Sequence, residues 1–345
     1  MAEAAAKSRH DDLAAAAQLR SLVPQDLQRV EAIDALWLGR PRSRYFERRL
    51  AAAQRQPGLH VQLGAIVDGR LCGYVLGRVL EGEFGRADPA LRLEAIGIDP
   101  VAEGRGLGMR LAEAFEEAAR RHGLRELRTS THWREHAMLK FLDRAGWSLG
   151  RNYVLDCALG DATWGGAHEM PVSSPVDAAP RDPNDYSAPA GNDYEALARD
   201  VADIAVLGMG DLEGILRIDR RHTGRDRRAY LQHALEEAMA DSSVRVSLAA
   251  RADRALAGYV MARVDLGDFG RRAPVAVIDT IGVDPMRKEH GFGHALMSQL
   301  FVNLGALGVE RVETVVAPDN FELLHFFLSA GLRPSERLAF GKRLA

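Results

Sequence analysis

Cysteine is nearly missing from this chain: Cys72 and Cys157 are the only two in 345 residues. That is too few for a disulfide framework, and neither sits in the Cys/His spacing of a zinc site, so no metal is expected. Surplus charge is missing as well. A formal net charge of −3 exerts no global pull toward nucleic acid or an anionic membrane, and neither is expected as a partner. No stretch approaches the roughly 18 apolar residues of a membrane span. Residues 1–16 lack the unbroken apolar core of a signal peptide, being interrupted by Lys7, Arg9, Asp11 and Asp12, and are expected to form a flexible extension. With reducible cysteines and no leader, the cytoplasm is the expected compartment.

What remains is ordinary globular composition, 47% hydrophobic and 27% charged, in a chain long enough for two cores of about 150 residues. The chain repeats itself at an offset of 185 residues. Gly73-Tyr74-Val75 meets Gly258-Tyr259-Val260, Phe84-Gly85-Arg86 meets Phe269-Gly270-Arg271, and Ile96-Gly97-Ile98-Asp99-Pro100 meets Ile281-Gly282-Val283-Asp284-Pro285. From Gly73 to Leu111 the two copies share 17 identities over 39 ungapped positions. The same offset pairs Asp26-Leu27 with Asp211-Leu212, Ile33-Asp34 with Ile218-Asp219, and Ala145-Gly146 with Ala330-Gly331. A register held over that span marks a duplicated domain rather than a solenoid unit, whose period is about 20–50 residues. The copies are expected at 17–160 and 199–345. Between them 161–198, rich in Pro, Gly, Ser and Asp, reads as a linker that buries too little apolar surface to fold.

Each copy alternates strands and helices. In the first, a short strand at Leu19–Leu22 precedes a helix capped by Asp26 and running to Leu36. A second helical stretch lies near Tyr45–Gln54. Strands follow at Val61–Val67, Leu71–Val79 and Leu91–Ile98, then a helix from Met109 to His122 closed by Gly123. A strand at Leu127–Thr131, a helix at Ala137–Arg144 and a terminal strand near Val154–Ala158 are expected to complete the unit. The class is α/β, of the α+β type, with a mixed and mainly antiparallel sheet flanked by helices in each copy.

The chemistry concentrates after Asp99-Pro100 and Asp284-Pro285. The first copy continues Glu103-Gly104-Arg105-Gly106-Leu107-Gly108 and opens a helix; the second continues Lys288-Glu289-His290-Gly291-Phe292-Gly293. Glycines let a backbone approach a phosphate closely, and amides at a helix N-terminus favour negative charge. There is no Gly-Lys-Ser/Thr, and the glycine spacing is wrong for a dinucleotide fingerprint. The strand, the Pro-containing turn and the glycine loop together resemble the GNAT superfamily of acyl-CoA-dependent N-acetyltransferases, in both halves.

The resemblance implies acetyl-CoA or another short acyl-CoA, its pyrophosphate at the two loops and its pantetheine along Ile96, Gly97, Ile98 and Ile281, Gly282, Val283. It implies transfer to a primary amine by direct attack on the thioester. A carboxylate is then wanted as base, because an alkylamine of pKa about 10 is mostly protonated at pH 7; Glu94 and Asp279 stand at equivalent strand positions. The family's tyrosine acid falls on Leu142 and Phe327, which have no proton to give. His136, His325, Ser130 and Tyr153 are substitutes, and a thiolate of pKa about 8.5 can leave unaided. Asn320 and Phe327 are expected beside the cofactor, and Arg225 and Arg227 at an anionic acceptor, although a solvated arginine-rich helix is the plainer reading of the latter pair. Lys288 beside the phosphates, against Glu103 in the first copy, favours the second half for turnover. The rivals are a non-catalytic acyl-CoA sensor and one active half beside a structural one. The acceptor's identity and the oligomeric state stay open.

Overall fold

The computed structural model describes residues 15–83, 89–159, 203–240, 245–253, 255–265, 274–288 and 290–345. The expected linker at 161–198, the repeated Phe-Gly-Arg triplets and Glu289 lie outside the described residues, as does most of the expected N-terminal extension.

The first repeat contains β1 (Gln18–Ser21), α1 (Leu27–Leu38), α2 (Ser43–Arg55), β2 (His60–Val67), β3 (Arg70–Leu80), β4 (Ala90–Ile98), α3 (Leu107–Arg121), β5 (Glu126–His132), α4 (His136–Arg144), β6 (Ser148–Leu149) and β7 (Tyr153–Ala158). The second contains β8 (Asp203–Val206), α5 (Leu212–Thr223), α6 (Arg228–Ala240), β9 (Arg245–Ala252), β10 (Ala255–Asp265), β11 (Val275–Val283), α7 (Phe292–Ala306), β12 (Arg311–Val316), α8 (Phe321–Ser329), β13 (Arg333–Pro334) and β14 (Arg337–Arg343). These bounds lie within two residues of the expected ones, and the α/β class with two mixed sheets is as expected. Asp26 does occupy the N-cap position of α1, but its side chain does not cap the helix. It turns back to accept from the Val23 amide at 2.9 Å and to pair with Arg20 at 2.6 Å.

Two seven-stranded sheets result, in the orders β1-β2-β3-β4-β5-β14-β6 and β13-β7-β12-β11-β10-β9-β8. Each therefore takes one strand from the other repeat. β14 pairs antiparallel with β5 from Arg337↔His132 to Arg343↔Glu126, and β7 pairs with β12 from Arg311↔Ala158 to Val316↔Tyr153. The terminal strand near Val154–Ala158 exists, but it completes the second sheet rather than its own. The exchange reaches the cores: Leu155 and Cys157 are buried among second-half residues, and Phe340 and Leu344 among first-half residues. Full burial of side chains of this size contributes roughly 1.5–3 kcal/mol each.

Helices cover both faces of each sheet. On one face α3 lays Leu111, Phe115, Ala118 and Ala119 against β2–β4 at helical spacing. Gly77 makes room there, since a Cβ on it would lie 2.3 Å from the Phe115 ring. On the other face α1 and α2 bury Val30, Ile33, Tyr45 and Phe46 against Tyr74, Leu76 and Ala95.

Candidate active site

In each sheet the single parallel pairing is short. β4 and β5 pair only at Leu91↔Leu127 and Arg92↔Arg128, although β4 continues to Ile98 and β5 to His132. Beyond that point the strands diverge and their facing edges open. The same happens after Val277↔Glu313 in the second half. In the first half a cavity of about 910 Å³ follows the opening, lined by Ile96–Ile98, the Glu103–Met109 loop, α4 and the α1 residues Asp34, Trp37 and Leu38.

The loop geometry follows from its residue types. Asp99 accepts from the Val101 amide at 3.2 Å and Asp284 from the Met286 amide at 3.1 Å, which fixes the Asp-Pro turn; Arg29 and Arg221 pair with these carboxylates. Gly106 and Gly291 then sit at φ 79° and 77°, in the left-handed region that favours glycine. No side chain caps α3 or α7, so the first-turn amides face outward without an intrahelical partner. This fits an anion such as a pyrophosphate. Glu103 and Arg105 are exposed beside it. In the second half Lys288 pairs with Glu322 across the loop, and the His290 ring, stacked near Phe292, reaches the Lys288 carbonyl at 2.7 Å. Along the strand edges, Trp37 Nε1 donates to the Ile98 carbonyl at 2.7 Å, and His222 Nε2 donates to that of Val283 at 2.6 Å. These two residues are themselves repeat partners.

Glu94 and Asp279 occupy β-bulges. The register jumps from Leu76↔Ala95 to Gly77↔Leu93, and from Met261↔Thr280 to Ala262↔Ile278, leaving the two carboxylate-bearing residues without a cross-strand partner and re-aiming their side chains. Glu94 is 1% exposed and accepts from Arg49 at 2.8 Å. Asp279 is paired with Arg245 at 2.7 Å, while its Oδ1 has no partner. Arg245 also holds Glu237, which reaches Arg78 of the first half at 3.3 Å. Burial pushes the Glu237 carboxyl up, but Arg78, Arg245 and Arg263 outweigh it and hold it well below the usual carboxylate range. Asp279 lines a second cavity of about 550 Å³ between the halves, together with Glu83, Arg92 and Arg263.

Several expected residues sit elsewhere. Leu142 and Phe327 are wholly buried core residues. The face of α4 that meets the cavity carries Ala137, Met138, Lys140, Phe141 and Arg144, so the aromatic next to the first loop is Phe141, one position earlier. Its repeat partner Phe326 packs against Gly293, where a Cβ would lie 2.8 Å from the ring. Phe327 is instead wholly buried in the core. The Asn320 side chain caps α8 by accepting from the Leu323 amide at 3.1 Å. Tyr153 lies in the second sheet, His136 and His325 are exposed, and the Ser130 carbonyl accepts from Arg337 at 2.5 Å. Arg225 is exposed, whereas Arg227 is buried. It forms a two-pronged pair with Asp219, and its Nη1 donates to the Gly82 carbonyl of the first half. Among the described residues no group of three or more His, Cys, Asp or Glu is placed to hold a metal, and no helix is long and apolar enough to cross a membrane.

One constellation escaped sequence reasoning. Arg42 makes a two-pronged pair with Asp34 at 2.7 and 2.6 Å, and Tyr74 donates to Asp34 at 2.8 Å. All three line the large cavity. Burial, then the Asp34 charge, raises the Tyr74 pKa well above its usual value, so the phenol keeps its proton at neutral pH. Asp219, Arg227 and Tyr259 repeat the arrangement. The signal was available, because all three residue types recur at the 185-residue offset.

The Acetyltransferase (GNAT) family model matches residues 27–147 and again 212–332. Among solved structures, a tandem GNAT protein from the clavulanic acid biosynthesis pathway is similar at 16% identity and a TM-score of 0.58, over 95% of this chain and 98% of that one. A GCN5-related N-acetyltransferase from Sphaerobacter thermophilus is similar at 17% identity and 0.53, over 95% of each chain. Identities this low bear on the fold alone. No curated protein matches the chain.

Proposed function

Because this chain belongs to the GNAT family of acetyltransferases, we propose that it transfers an acetyl or other short acyl group from acyl-CoA to a primary amine, with the first-half cavity as the principal site. The observation carrying this reading is the coincidence, in one cavity, of an uncapped helix N-terminus, an open strand edge and a buried polar trio. The amides of the Gly104–Gly108 loop would hold the pyrophosphate, with Glu103 turned to solvent and Arg105 beside it. Ile96 and Gly97 would meet the pantetheine; one lone pair of the Ile98 carbonyl is already taken by Trp37.

The amine nitrogen attacks the thioester carbonyl, the C–N bond forms and the C–S bond breaks. The amine proton passes through water to Glu94, which is buried against Arg49 behind the cavity wall, and the thiolate leaves. Tyr74 keeps its phenolic proton and helps hold the far end of the cavity. Asp279 is the corresponding base of the second half. Two contacts support a secondary or structural role for that half: Glu322 engages Lys288, and the Gly82 carbonyl fills the Arg227 position.

The test is CoA titration by calorimetry, with steady-state thiol release over an amine panel. Gly106→Asp adds a strained side chain and a charge where the pyrophosphate would lie, and CoA affinity should fall by on the order of tenfold or more. Gly291→Asp should matter less. Unchanged affinity in Gly106→Asp would remove the loop from the cofactor site, and CoA binding with no turnover of any amine would favour an acyl-CoA sensor.

A further inference from the structure

The short helix that faces the glycine loop differs between the halves. In the first, α4 lies against the start of α3, where a Cβ on Gly108 would sit 3.4 Å from the Phe141 ring. Lys140 and Arg144 flank Phe141, within about 4.5 Å of it along the helix axis, and both line the large cavity. Four residues apart, they share one side of α4. Both are exposed, and neither side chain has a hydrogen-bond or ion-pair partner among the described residues. Like charges at this spacing repel, so the pair holds uncompensated positive charge at the cavity wall. Of the carboxylates lining the cavity, Asp34 is matched by Arg42, Glu103 lies in the loop, and Glu135 precedes α4 at the end opposite Arg144. The second half has His325 and Ser329 at the equivalent positions.

We infer that Lys140 and Arg144 bind the 3′-phosphate of the coenzyme A ribose, so that the first half selects the 3′-phosphorylated cofactor. Coenzyme A carries a diphosphate and, across the ribose, a phosphomonoester. The first-turn amides of α3 are fixed in direction and carry partial charge, which suits the diphosphate lying against the backbone. They leave the phosphomonoester, close to a dianion at pH 7, without counter-charge. Two long cationic side chains on the neighbouring helix, beside its contact with Gly108, supply that charge and can follow a group standing off the loop. This inference rests on the acyl-CoA reading of the first half, and its test separates the two.

The probes are CoA and dephospho-CoA, which differ only in the 3′-phosphate, titrated by calorimetry at low ionic strength because exposed charges are screened by salt. The site read is the one lost in Gly106→Asp. CoA should bind there about tenfold or more tightly than dephospho-CoA. In the double variant Lys140→Ala/Arg144→Ala the two affinities should become equal, with that for dephospho-CoA unchanged; both positions are exposed, so the fold is not at risk. Equal affinities in the unmodified protein, or a preference that survives the double variant, would overturn the inference. So would an equal loss of affinity for both probes in the double variant, which would assign the two cations to the diphosphate. Failure of both probes to bind the unmodified protein would overturn the acyl-CoA reading itself, and the inference with it.

Discussion

The two halves share a loop, a bulge and a buried Asp-Arg-Tyr trio, and they differ in what each has done with them. In the first half the bulge carboxylate Glu94 takes its arginine from α2, through Arg49. In the second, Asp279 takes Arg245 from the start of β9, and that arginine continues through Glu237 to Arg78 of the other half. The repeat partner of Arg245 is His60, a buried imidazole. Duplication preserved the backbone devices, which every copy needs to fold, and released the side chains around them. Second-half side chains such as Arg227 and Glu237 make contacts between the halves, and the first-half trio lines a cavity.

The largest effect should come from breaking the exchange of strands. A chain cut within 161–198 is expected to remain one particle by native mass spectrometry, because β7 and β14 each lie inside the partner sheet. Either half expressed alone should fail to fold. Two separately soluble, folded halves would contradict the exchange.

Next are the buried pairs. Asp34→Ala and Asp219→Ala each leave a buried guanidinium without its carboxylate, at a cost of roughly 3–5 kcal/mol. Denaturant unfolding should show both losses, with Asp219→Ala also weakening the Arg227–Gly82 link between the halves. A loss below about 1 kcal/mol in either variant would mean that the pair does not brace its half.

The third effect is pH-dependent, belongs to the first half and is smallest near neutral pH. Burial, then the Arg78 and Arg49 charges, lower the His60 pKa to about 3. The unfolded imidazole titrates near 6.5, so between those values the unfolded chain binds a proton that the folded chain does not. Stability from this group is complete above pH 6.5 and is lost as pH falls toward 3, at about 1.4 kcal/mol per pH unit. His60→Gln should flatten the acid limb of the unfolding curve relative to the parent. An unchanged slope would show that His60 is already charged in the folded state.

Much of the site was legible because the relevant signals are local. Gly106 and Gly291 stand where the backbone requires φ > 0, Asp-Pro marks the turn, and Glu94 and Asp279 recur at one offset. The α4 face was misplaced by one residue, since the family pattern points to Leu142 whereas packing turns Phe141 to the cavity. Arg227 looked like a free cation because Asp219 meets it only through the fold of the α5–α6 turn, and Gly82 lies in the other half.

The sequence by itself determined two copies, their element order and the loop each presents. Helical spacing, strand alternation and glycine requirements are written within a few residues of one another, and a duplication repeats them. Only the tertiary structure decided that β7 and β14 change places. Strand pairing runs through backbone amides and carbonyls that every residue carries, so two like halves offer β7 two similar edges, beside β5 and beside β12. The same joining of the halves brings the Gly82 carbonyl to Arg227.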